Sequence, residues 1–580
     1  MREHIDTLLR EALHRLAELE GRPELGNAEP RIERTRDSQH GDFTSNVALR
    51  LGKMLGRAPR DLAAALLAQL PASELVQDVE IAGPGFVNFR LNAAAYHDEL
   101  RDILSRGPAY GASQRGAGQR VLLEFVSANP TGPLHVGHGR HAAYGATLGN
   151  LLRITGHEVH EEYYVNDAGR QMDILAVSVW LRYAEAMGST LPFPEQCYQG
   201  AYVREIAAEL AAQHGDALLG ELEIVEQANA ASPEDAELAL DVLIAAVKRS
   251  LRAASFTTVF NAALTSVLGD IKDDLQGFAA APDGWYSERS LTDDNAVDRA
   301  LAALKERGML YEHEGATWFR TSDFGDDKDR VVVRENGART YFASDIAYHH
   351  EKCLRGYDLL LNVLGADHHG YVPRLRAGIE ALDQDAAKLD VRLVQFVILY
   401  RGKVKAQMST RSGEYITLRE LRDEVGNDAA RFFYVSRSND QHLDFDLELA
   451  KSQSNDNPVY YVQYAHARVA SMLQKLEEQN LPLPSDPDFA ALTEPLEAEL
   501  MAALSRYPEV IELAVDNRAP QHIVHYLRDL AASFHSYYNA HRILVDDTRI
   551  RDARVALARA IQQIIRNGLT LLDVSAPEAM

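Results

Sequence analysis

The chain has 580 residues, 46% of them hydrophobic, and a formal net charge of −25. This length exceeds that of a single hydrophobic core, so we expect several domains. No apolar run reaches membrane-spanning length, and the charged N-terminus does not resemble a signal peptide. The only two cysteines, Cys197 and Cys353, argue against a disulfide scaffold or a structural zinc site and favour a reducing cytoplasm. The acidic balance argues against indiscriminate nucleic-acid binding, but a local basic surface could still contact RNA.

Residues 1 to about 115 predict a small mixed α/β domain. Apolar residues recur with helical spacing over 5–16 and again over 62–70. Two strand-like segments, Val79–Ile81 and Phe86–Leu91, flank a Gly-Pro-Gly turn. A glycine-rich connector over 107–118 marks the expected domain boundary.

Residues 116–400 predict a doubly wound, Rossmann-type α/β domain with a parallel sheet. A βαβ unit begins it, with a helix from about His135 to Gly156, and two more apolar strands follow much later. We expect a mostly helical, acidic insertion at about 180–328. The predicted strands are Val121–Val126, Val159–Val165, Leu359–Leu364 and Val394–Tyr400.

The remainder of the chain predicts two further parts. Residues 401–454 contain a cationic loop followed by helical segments. From 455 to 580 the apolar periodicity is helical almost throughout, which predicts an all-α bundle. The predicted fold is therefore multidomain, with a small α/β N-terminal domain, a Rossmann-type body with a helical insertion, and an all-α C-terminal domain.

The motif His135-Val-Gly-His138 lies where a strand and a proline-rich loop give way to a helix. A helix N-terminus favours phosphate, and Gly137 would let a nucleotide approach the backbone. His135 and His138 share one helix face, from which they can donate hydrogen bonds to an α-phosphate during in-line displacement. The alternative is a zinc site, but this would need a third ligand and would leave Gly137 unexplained.

This motif resembles the HIGH motif of class I aminoacyl-tRNA synthetases, and its surroundings resemble the arginyl-tRNA synthetase family in particular. The resemblance extends over nearly the full length, from Gly41–Ala48 and Ala82–Phe89 near the N-terminus to Phe534–Arg542 in the helical domain. The segments that carry it in the catalytic body are Glu124–Arg140, Tyr164–Gln171, Asp327–Arg330, Thr340–His349 and Gly365–Tyr371.

The resemblance implies roles for residues at the matching positions. Glu124 and Asn129 are expected at the backbone end of arginine, and Tyr341 and Asp345 at its guanidinium, which carboxylates and an aromatic ring recognise well. Gly365, Asp367 and His368 are expected near the adenosine part of ATP, and Asp367 also near arginine. The HIGH region comprises Ala128, Asn129, Pro130, Thr131, Gly132, Pro133, Leu134, His135, Val136, Gly137 and His138.

The second class I motif, KMSKS, is represented only weakly. Gln407-Met-Ser-Thr-Arg411 occupies its place without either lysine, and Gly132 stands where some arginyl enzymes carry a substitute lysine. We expect Met408 at the ATP site. Lys403, Lys405 and Arg411 are the candidate phosphate-binding cations, with an ordinary solvated loop as the alternative.

Aromatic and cationic residues alternate in the helical domain and suit splayed anticodon bases, although core tyrosines with polar tips are the alternative. The expected substrates are ATP with Mg²⁺, L-arginine and its tRNA, with no protein-caged metal, no membrane and a monomeric state. A shorter-chain class of nucleotidylyltransferase and an inactive tRNA-binding paralogue are the competing interpretations. The candidate tRNA contacts are Tyr460, Tyr464, Arg468, Tyr537, Tyr538 and Arg542.

Overall fold

A computed structural model describes residues 1–35, 38–231, 233–405 and 415–580. Its N-terminal domain places helices against a four-stranded antiparallel sheet of order β1-β2-β4-β3. A separate apolar core fills this domain, which confirms the predicted small α/β fold. Its elements are α1 (Arg2–Glu20), α2 (Pro23–Gly26), β1 (Ile32–Arg34), β2 (Phe43–Ser45), α3 (Val47–Leu55), α4 (Pro59–Gln69), β3 (Val76–Ala82), β4 (Phe86–Leu91) and α5 (Ala93–Arg106).

The catalytic body contains a five-stranded sheet of order β12-β11-β5-β6-β7, and every neighbouring pair in it is parallel. This confirms the predicted doubly wound architecture. The strands of the body are β5 (Arg120–Glu124), β6 (Glu158–Val165), β7 (Gly284–Ser287), β8 (Leu310–His313), β9 (Ala316–Phe319), β10 (Arg330–Val333), β11 (Leu359–Gly365) and β12 (Leu389–Val394).

Helices cover this sheet and form the segment between β6 and β7. The helix α6 starts directly after the HIGH loop, and α10 contains a kink at Arg252, whose φ is 58°. The helices are α6 (Val136–Ile154), α7 (Arg170–Ala186), α8 (Ala201–His214), α9 (Leu222–Ala230), α10 (Ala236–Gly277), α11 (Glu288–Asp293), α12 (Ala296–Glu306), α13 (Tyr341–Leu354) and α14 (Val372–Ala381).

The segment assigned to an insertion, about 180–328, is not helical throughout. It includes β7, which is the outer strand of the parallel sheet, and β8 and β9 of a three-stranded antiparallel sheet. The aromatic residues of β7 pack on β6, with Tyr163 and Trp285 ring centroids 4.6 Å apart. The chain therefore returns to the parallel sheet soon after α10 ends at Gly277.

The prediction of one continuous strand over Val394–Tyr400 is wrong. The structure divides it into β12 and β13, which belong to different sheets. At the break, the Gln395 N–H donates to Asn439 O at 2.8 Å, and Arg140 Nη1 donates to Gln395 O at 2.8 Å. These two hydrogen bonds replace those that the Gln395 backbone would have made to a neighbouring strand if the strand had continued.

The chain ends in a mixed segment and a helical bundle, and within 455–580 the structure assigns no strand, as predicted. Arg431 ties the bundle to the body, since it donates to Leu572 O and Phe278 O and pairs with Asp573. The elements are β13 (Val397–Arg401), β14 (Val404–Lys405), α15 (Leu418–Val425), α16 (Asn427–Tyr434), β15 (Leu443–Asp446), α17 (Leu447–Lys451), α18 (Pro458–Glu478), α19 (Pro495–Leu504), α20 (Tyr507–Asn517), α21 (Gln521–Ala540) and α22 (Thr548–Leu571). Among the described residues, no helix is long and apolar enough to cross a membrane.

Candidate functional site

Two cavities meet at the carboxyl ends of the parallel strands, where doubly wound sheets bind ligands. The central cavity, of about 650 Å³, lies between the ends of β5 and β11, the start of α6 and the first turns of α13. The side cavity, of about 1100 Å³, lies between the HIGH loop and the segment from α7 to α8. His135, His138 and Asn129 line both, so the HIGH turn is the wall that the two cavities share.

The HIGH turn is a self-capped helix start. His135 is the N-cap of α6, and its Nδ1 accepts from Gly137 N at 3.1 Å and His138 N at 3.4 Å. In return, His138 Nδ1 accepts from His135 N at 3.3 Å. The sequence suggested free amides for phosphate here, but these three amides already have partners.

The same bonds decide which nitrogen of each imidazole can donate. Because Nδ1 is an acceptor in both rings, the proton of each neutral ring lies on Nε2. Burial lowers the pKa of His135, and burial together with His135 and His141 lowers that of His138 well below its ordinary value. At neutral pH both side chains are therefore neutral donors through Nε2.

Gly137 is required inside the motif itself. A Cβ there would lie 2.9 Å from Cε1 of His135, closer than real contacts of this kind. The glycine therefore allows the His135 ring to fold back onto the helix start, where it stacks on His138 with centroids 3.6 Å apart.

Two acidic residues from different elements line the central cavity. Asp345 accepts a hydrogen bond from Tyr371 Oη, and burial together with the nearby Glu124 raises the pKa of Asp345 to about 7. Burial and the neighbouring Asp345 also raise the pKa of Glu288 to about 7. Glu288 Oε2 is buried and has no hydrogen-bond partner among the described residues. The two carboxyl groups leave unused acceptor capacity that a multidonor cation such as a guanidinium can satisfy.

Glu124 ends β5 and is 5% exposed. Its Oε1 accepts from Ser127 Oγ at 2.9 Å, and its Oε2 forms an ion pair with Lys352 Nζ. The turn that brings Ser127 back to this carboxylate has positive φ values, 68° at Val126 and 39° at Ser127. The cationic partner of this carboxylate is therefore a lysine from α13.

The other predicted central-site residues lie around the same cavity. Tyr341 and Asp345 are four residues apart on α13, as expected, and the Tyr341 ring is 51% exposed. Asn129 Oδ1 accepts from Asn166 Nδ2 at 2.8 Å. Gly365, Asp367 and His368 line the cavity beyond the end of β11, and the last two are exposed.

The HIGH loop is fastened to the segment that follows the KMSKS position. Leu418 N donates to Leu134 O at 2.7 Å, and Val136 N donates to Ile416 O at 3.3 Å. Ala128 O accepts from the buried Tyr163 at 2.8 Å, and Thr131 O accepts from the half-buried Tyr202 at 2.5 Å. Pro130, Gly132 and Pro133 complete this loop, and the last two line the side cavity.

The predicted phosphate-binding cations are only partly described. Lys403 and Lys405 lie on the hairpin formed by β13 and β14, and both are exposed. Neither lines the described part of the central or side cavity. Met408 and Arg411 lie outside the described residues. Within the described ranges, no cluster of three or more His, Cys, Asp or Glu side chains could hold a metal ion.

A third cavity, the tyrosine groove, lies between α18 and α21 and has a volume of about 620 Å³. Tyr460 stacks on Tyr464, with ring centroids 6.1 Å apart and planes 12° apart. Arg468 lies 5.4 Å from the Tyr464 ring and 4.4 Å from the Tyr538 ring. The groove thus combines stacked rings with a cation, a pattern that suits unstacked bases.

One predicted tRNA contact is wrong. Tyr537 is 0% exposed and donates to Glu497 Oε1 at 3.1 Å inside the bundle, so its ring belongs to the core. Arg542 is exposed beyond the end of α21. His535, whose ring centroid lies 5.5 Å from that of Tyr464, lines the groove in addition to the predicted residues.

Sequence reasoning missed Glu288, which lines the central cavity, and Lys352, which lies beneath it. Glu288 follows the short aromatic strand β7, and a carboxylate at a strand end could have indicated it. Lys352 continues the face of α13 that carries Tyr341, Asp345 and Tyr348, because these positions follow helical spacing.

Three family models match the chain. The arginyl-tRNA synthetase N-terminal domain matches residues 3–91, and the class I (R) tRNA synthetase catalytic domain matches 99–210 and 286–454. The DALR anticodon-binding domain matches 462–580. Together they cover well over half of the chain.

Full-length relatives agree with these models. An arginine–tRNA ligase from Thioalkalivibrio sulfidiphilus is 54% identical, with 100% of each chain covered. Another from Acidithiobacillus ferrooxidans is 55% identical, with 95% of each chain covered. The solved arginyl-tRNA synthetase of Thermus thermophilus is similar in fold, with a TM-score of 0.74, 23% identity and 100% of each chain covered.

Proposed function

This chain belongs to the arginyl-tRNA synthetase family, and we propose that it charges tRNA with L-arginine in two steps. ATP and arginine first give arginyl-adenylate and pyrophosphate. The arginyl group then passes to the terminal ribose hydroxyl of the tRNA, and AMP is released. The proximity of the carboxyl groups of Asp345 and Glu288 to the HIGH turn in one cavity supports the chemistry at this site.

Arginine selection rests on the two carboxyl groups. Asp345 and Glu288 would receive the guanidinium, whose planar fork of N–H donors matches carboxylate oxygens. The orphan oxygen of Glu288 favours this assignment, since an unpaired buried acceptor costs free energy until a ligand satisfies it. Tyr341 would cover the guanidinium, while Glu124 and Asn129 would hold the α-amino end.

Adenylate formation would take place at the HIGH turn. The Nε2–H groups of His135 and His138 would donate to the α-phosphate as charge develops on its oxygens. Gly365, Asp367 and His368 would hold the adenosine part, together with Gly137 and Met408. Mg²⁺ would enter with ATP as part of the substrate and bridge its phosphates. Lys403, Lys405 and Arg411 are the proposed cations for the leaving pyrophosphate.

The tRNA would contact three parts of the chain. The side cavity adjoins the HIGH turn and would receive the 3′ end, while the tyrosine groove would receive anticodon bases through Tyr460, Tyr464 and Arg468. Tyr538, beside Arg468, and Arg542 are the further proposed contacts. The N-terminal domain would contact the outer part of the tRNA. We retain the domain division at about 115, 400 and 455 and the monomeric state as predictions.

The decisive experiment is arginine-dependent exchange between ATP and pyrophosphate, measured with and without tRNA, followed by tRNA charging. We expect exchange with arginine but not lysine, and formation of arginyl-tRNA. Exchange with no transfer to tRNA would favour a nucleotidylyltransferase, whereas tRNA binding with neither reaction would favour an inactive paralogue. Full exchange without tRNA would contradict only the family expectation that activation waits for bound tRNA.

A further inference from the structure

Lys352 lies beneath the central cavity, and its side chain is 0% exposed. Its Nζ forms an ion pair with Glu124, donates to Asn362 Oδ1 at 3.1 Å, and lies 4.3 Å from the centroid of the Tyr348 ring. Burying such a pair carries a desolvation cost that two apolar side chains of similar size would avoid. Stability of the fold therefore gives no reason for a charged pair at this position.

The Glu124 carboxylate is held in place at both oxygens and still has capacity for a ligand. Ser127 occupies one lone pair of Oε1, and Lys352 occupies one of Oε2. An ionised carboxylate offers about four lone-pair sites, so each oxygen can accept one further donor. Glu124 lines the central cavity, where that donor would arrive.

The orientation of Lys352 is fixed by a second row of hydrogen bonds. Asn362 Nδ2 lies 3.0 Å from His349 Nε2, and His349 Nδ1 lies 2.9 Å from Asp345 O. Burial and the neighbouring Lys352 lower the pKa of His349 to about 4, so this imidazole is neutral. These hydrogen bonds connect the backbone of α13 at Asp345, at the acidic end of the cavity, to the ammonium group of Lys352 beneath Glu124.

We propose that Lys352 is a positioning residue, which holds the Glu124 carboxylate in place and aimed at the α-ammonium group of bound arginine. This inference rests on the proposed function, since it takes arginine as the ligand. Lys352 itself does not touch the substrate. Its charge balances Glu124 in a cavity that Asp345, Glu288, Tyr164 and Tyr348 also line.

The test uses a ligand that lacks only the group in question. In 2-hydroxy-5-guanidinopentanoate a hydroxyl replaces the α-amino group of arginine, so Glu124 has no ammonium to bind. For Lys352→Met we expect the dissociation constant of arginine, measured by titration calorimetry, to rise by about 30-fold, the low end of the effect of losing one partner of a buried charge pair. The dissociation constant of the hydroxy analogue should change by less than about 3-fold, because the same interaction is absent in both proteins.

A double variant separates positioning from general damage. In the Glu124→Gln background, adding Lys352→Met should leave arginine binding unchanged within about 2-fold, since the carboxylate through which Lys352 acts is gone. If Lys352→Met alone fails to fold, this comparison decides the matter, because both proteins lack the unpaired carboxylate. Lys388→Met is the matched control: Lys388 Nζ donates to Tyr357 O at 3.1 Å, away from the cavity lining, and we expect no change in arginine binding.

The proposal would be overturned if Lys352→Met weakened the binding of arginine and of its hydroxy analogue equally. It would also be overturned if adding Lys352→Met to Glu124→Gln weakened arginine binding by a further tenfold. Failure of the proposed function looks different. In that case the wild-type protein would neither bind arginine nor charge tRNA, whatever the variants do.

Discussion

The two ends of the central cavity are built in contrasting ways. The arginine end is formed by half-buried and buried carboxyl groups whose partners, Tyr371, Ser127 and Lys352, are already in place. The proposed nucleotide end combines the HIGH turn, which is held by its own hydrogen bonds, with exposed polar groups at Asp367 and His368. The exposed cations Lys403 and Lys405 lie on the hairpin of β13 and β14, outside the described lining of the cavity.

This contrast indicates which groups determine the specificity of the site and which contribute to catalysis. Buried acceptors without enough donors penalise the wrong ligand, so under the proposed function the empty site already favours arginine. Exposed cations are hydrated and gain little until a polyphosphate reaches them. We therefore expect single substitutions to have large effects at the HIGH turn and the arginine end, and small effects at the exposed cations.

The largest effect should come from His138→Ala. Loss of one preorganised donor to the transition state should lower the rate of adenylate formation by about 10²–10³. Arginine binding should be unchanged, since Nε2 of His138 is assigned to phosphate. Pre-steady-state measurement of adenylate formation, with circular dichroism as the check on folding, tests this. A melted protein would instead assign the histidine to the fold.

Asp345→Ala should have the next largest effect. Removing one charge partner from the guanidinium should cost about 2–4 kcal/mol of arginine binding, visible as a rise in the arginine KM with little change in the ATP KM. Asp345→Asn keeps one acceptor and should lie between wild type and Ala. A normal arginine KM in Asp345→Ala would transfer the role to Glu288.

Glu288→Gln should weaken arginine binding and yet stabilise the empty protein. The raised pKa of Glu288 means that the folded state keeps a proton that the unfolded state loses. The stabilisation that this proton gives the folded protein is complete below about pH 4.5, and it is lost as the pH rises through about 7. A rise from 4.5 to about 7 corresponds to about 3 kcal/mol at 1.36 kcal/mol per unit.

The Gln variant avoids this loss. Its advantage in the free energy of unfolding over wild type should be absent at pH 4 and reach up to about 3 kcal/mol at pH 8. Denaturant unfolding at both pH values measures it. In the wild type, arginine binding should tighten as the pH rises through 7, because the guanidinium replaces protons on Asp345 and Glu288. An advantage that is equal at both pH values would show that folding does not raise the pKa of Glu288.

The features that the sequence predicted are local, and those that it missed depend on contacts between distant parts of the chain. Local patterns predicted the parallel sheet and the helix start at the HIGH turn, since strand runs and helical spacing are local signals. The pair of Tyr341 and Asp345 was implied by the family resemblance. The local patterns missed Glu288 and Lys352, because a strand end and a helix face indicate these positions only once the tertiary packing around the cavity is known. The strand break at Gln395 was missed for a similar reason, because distant Arg140 and Asn439 provide its hydrogen bonds.

In the bundle, periodicity could not separate the groove from the core. Tyr537 and Tyr538 are adjacent in sequence, but one is wholly buried and the other lies beside Arg468.

Tyr464→Ala should weaken tRNA binding by about 1–3 kcal/mol, the usual contribution of one stacked base. Tyr537→Phe is the matched control and should leave tRNA binding unchanged. Filter-binding assays with cognate tRNA would detect both, and equal losses would indicate damage to the bundle.

The smallest effects should come from Lys403→Ala and Lys405→Ala. Both ammonium groups are exposed, so each should raise the ATP KM by only about 3–10-fold, and the effect should shrink in high salt because exposed charges are screened. Lys451→Ala is the matched control, since Lys451 is tied to Glu424 and Glu448 in the same region. If the double variant Lys403→Ala/Lys405→Ala lowers adenylate formation by 10³ or more, the hairpin supplies preorganised transition-state contacts like those of the HIGH turn. The contrast between an ordered histidine turn and loosely placed cations would then be lost. If both single variants match Lys451→Ala, the phosphate cation lies elsewhere, and Arg411 becomes the next residue to substitute.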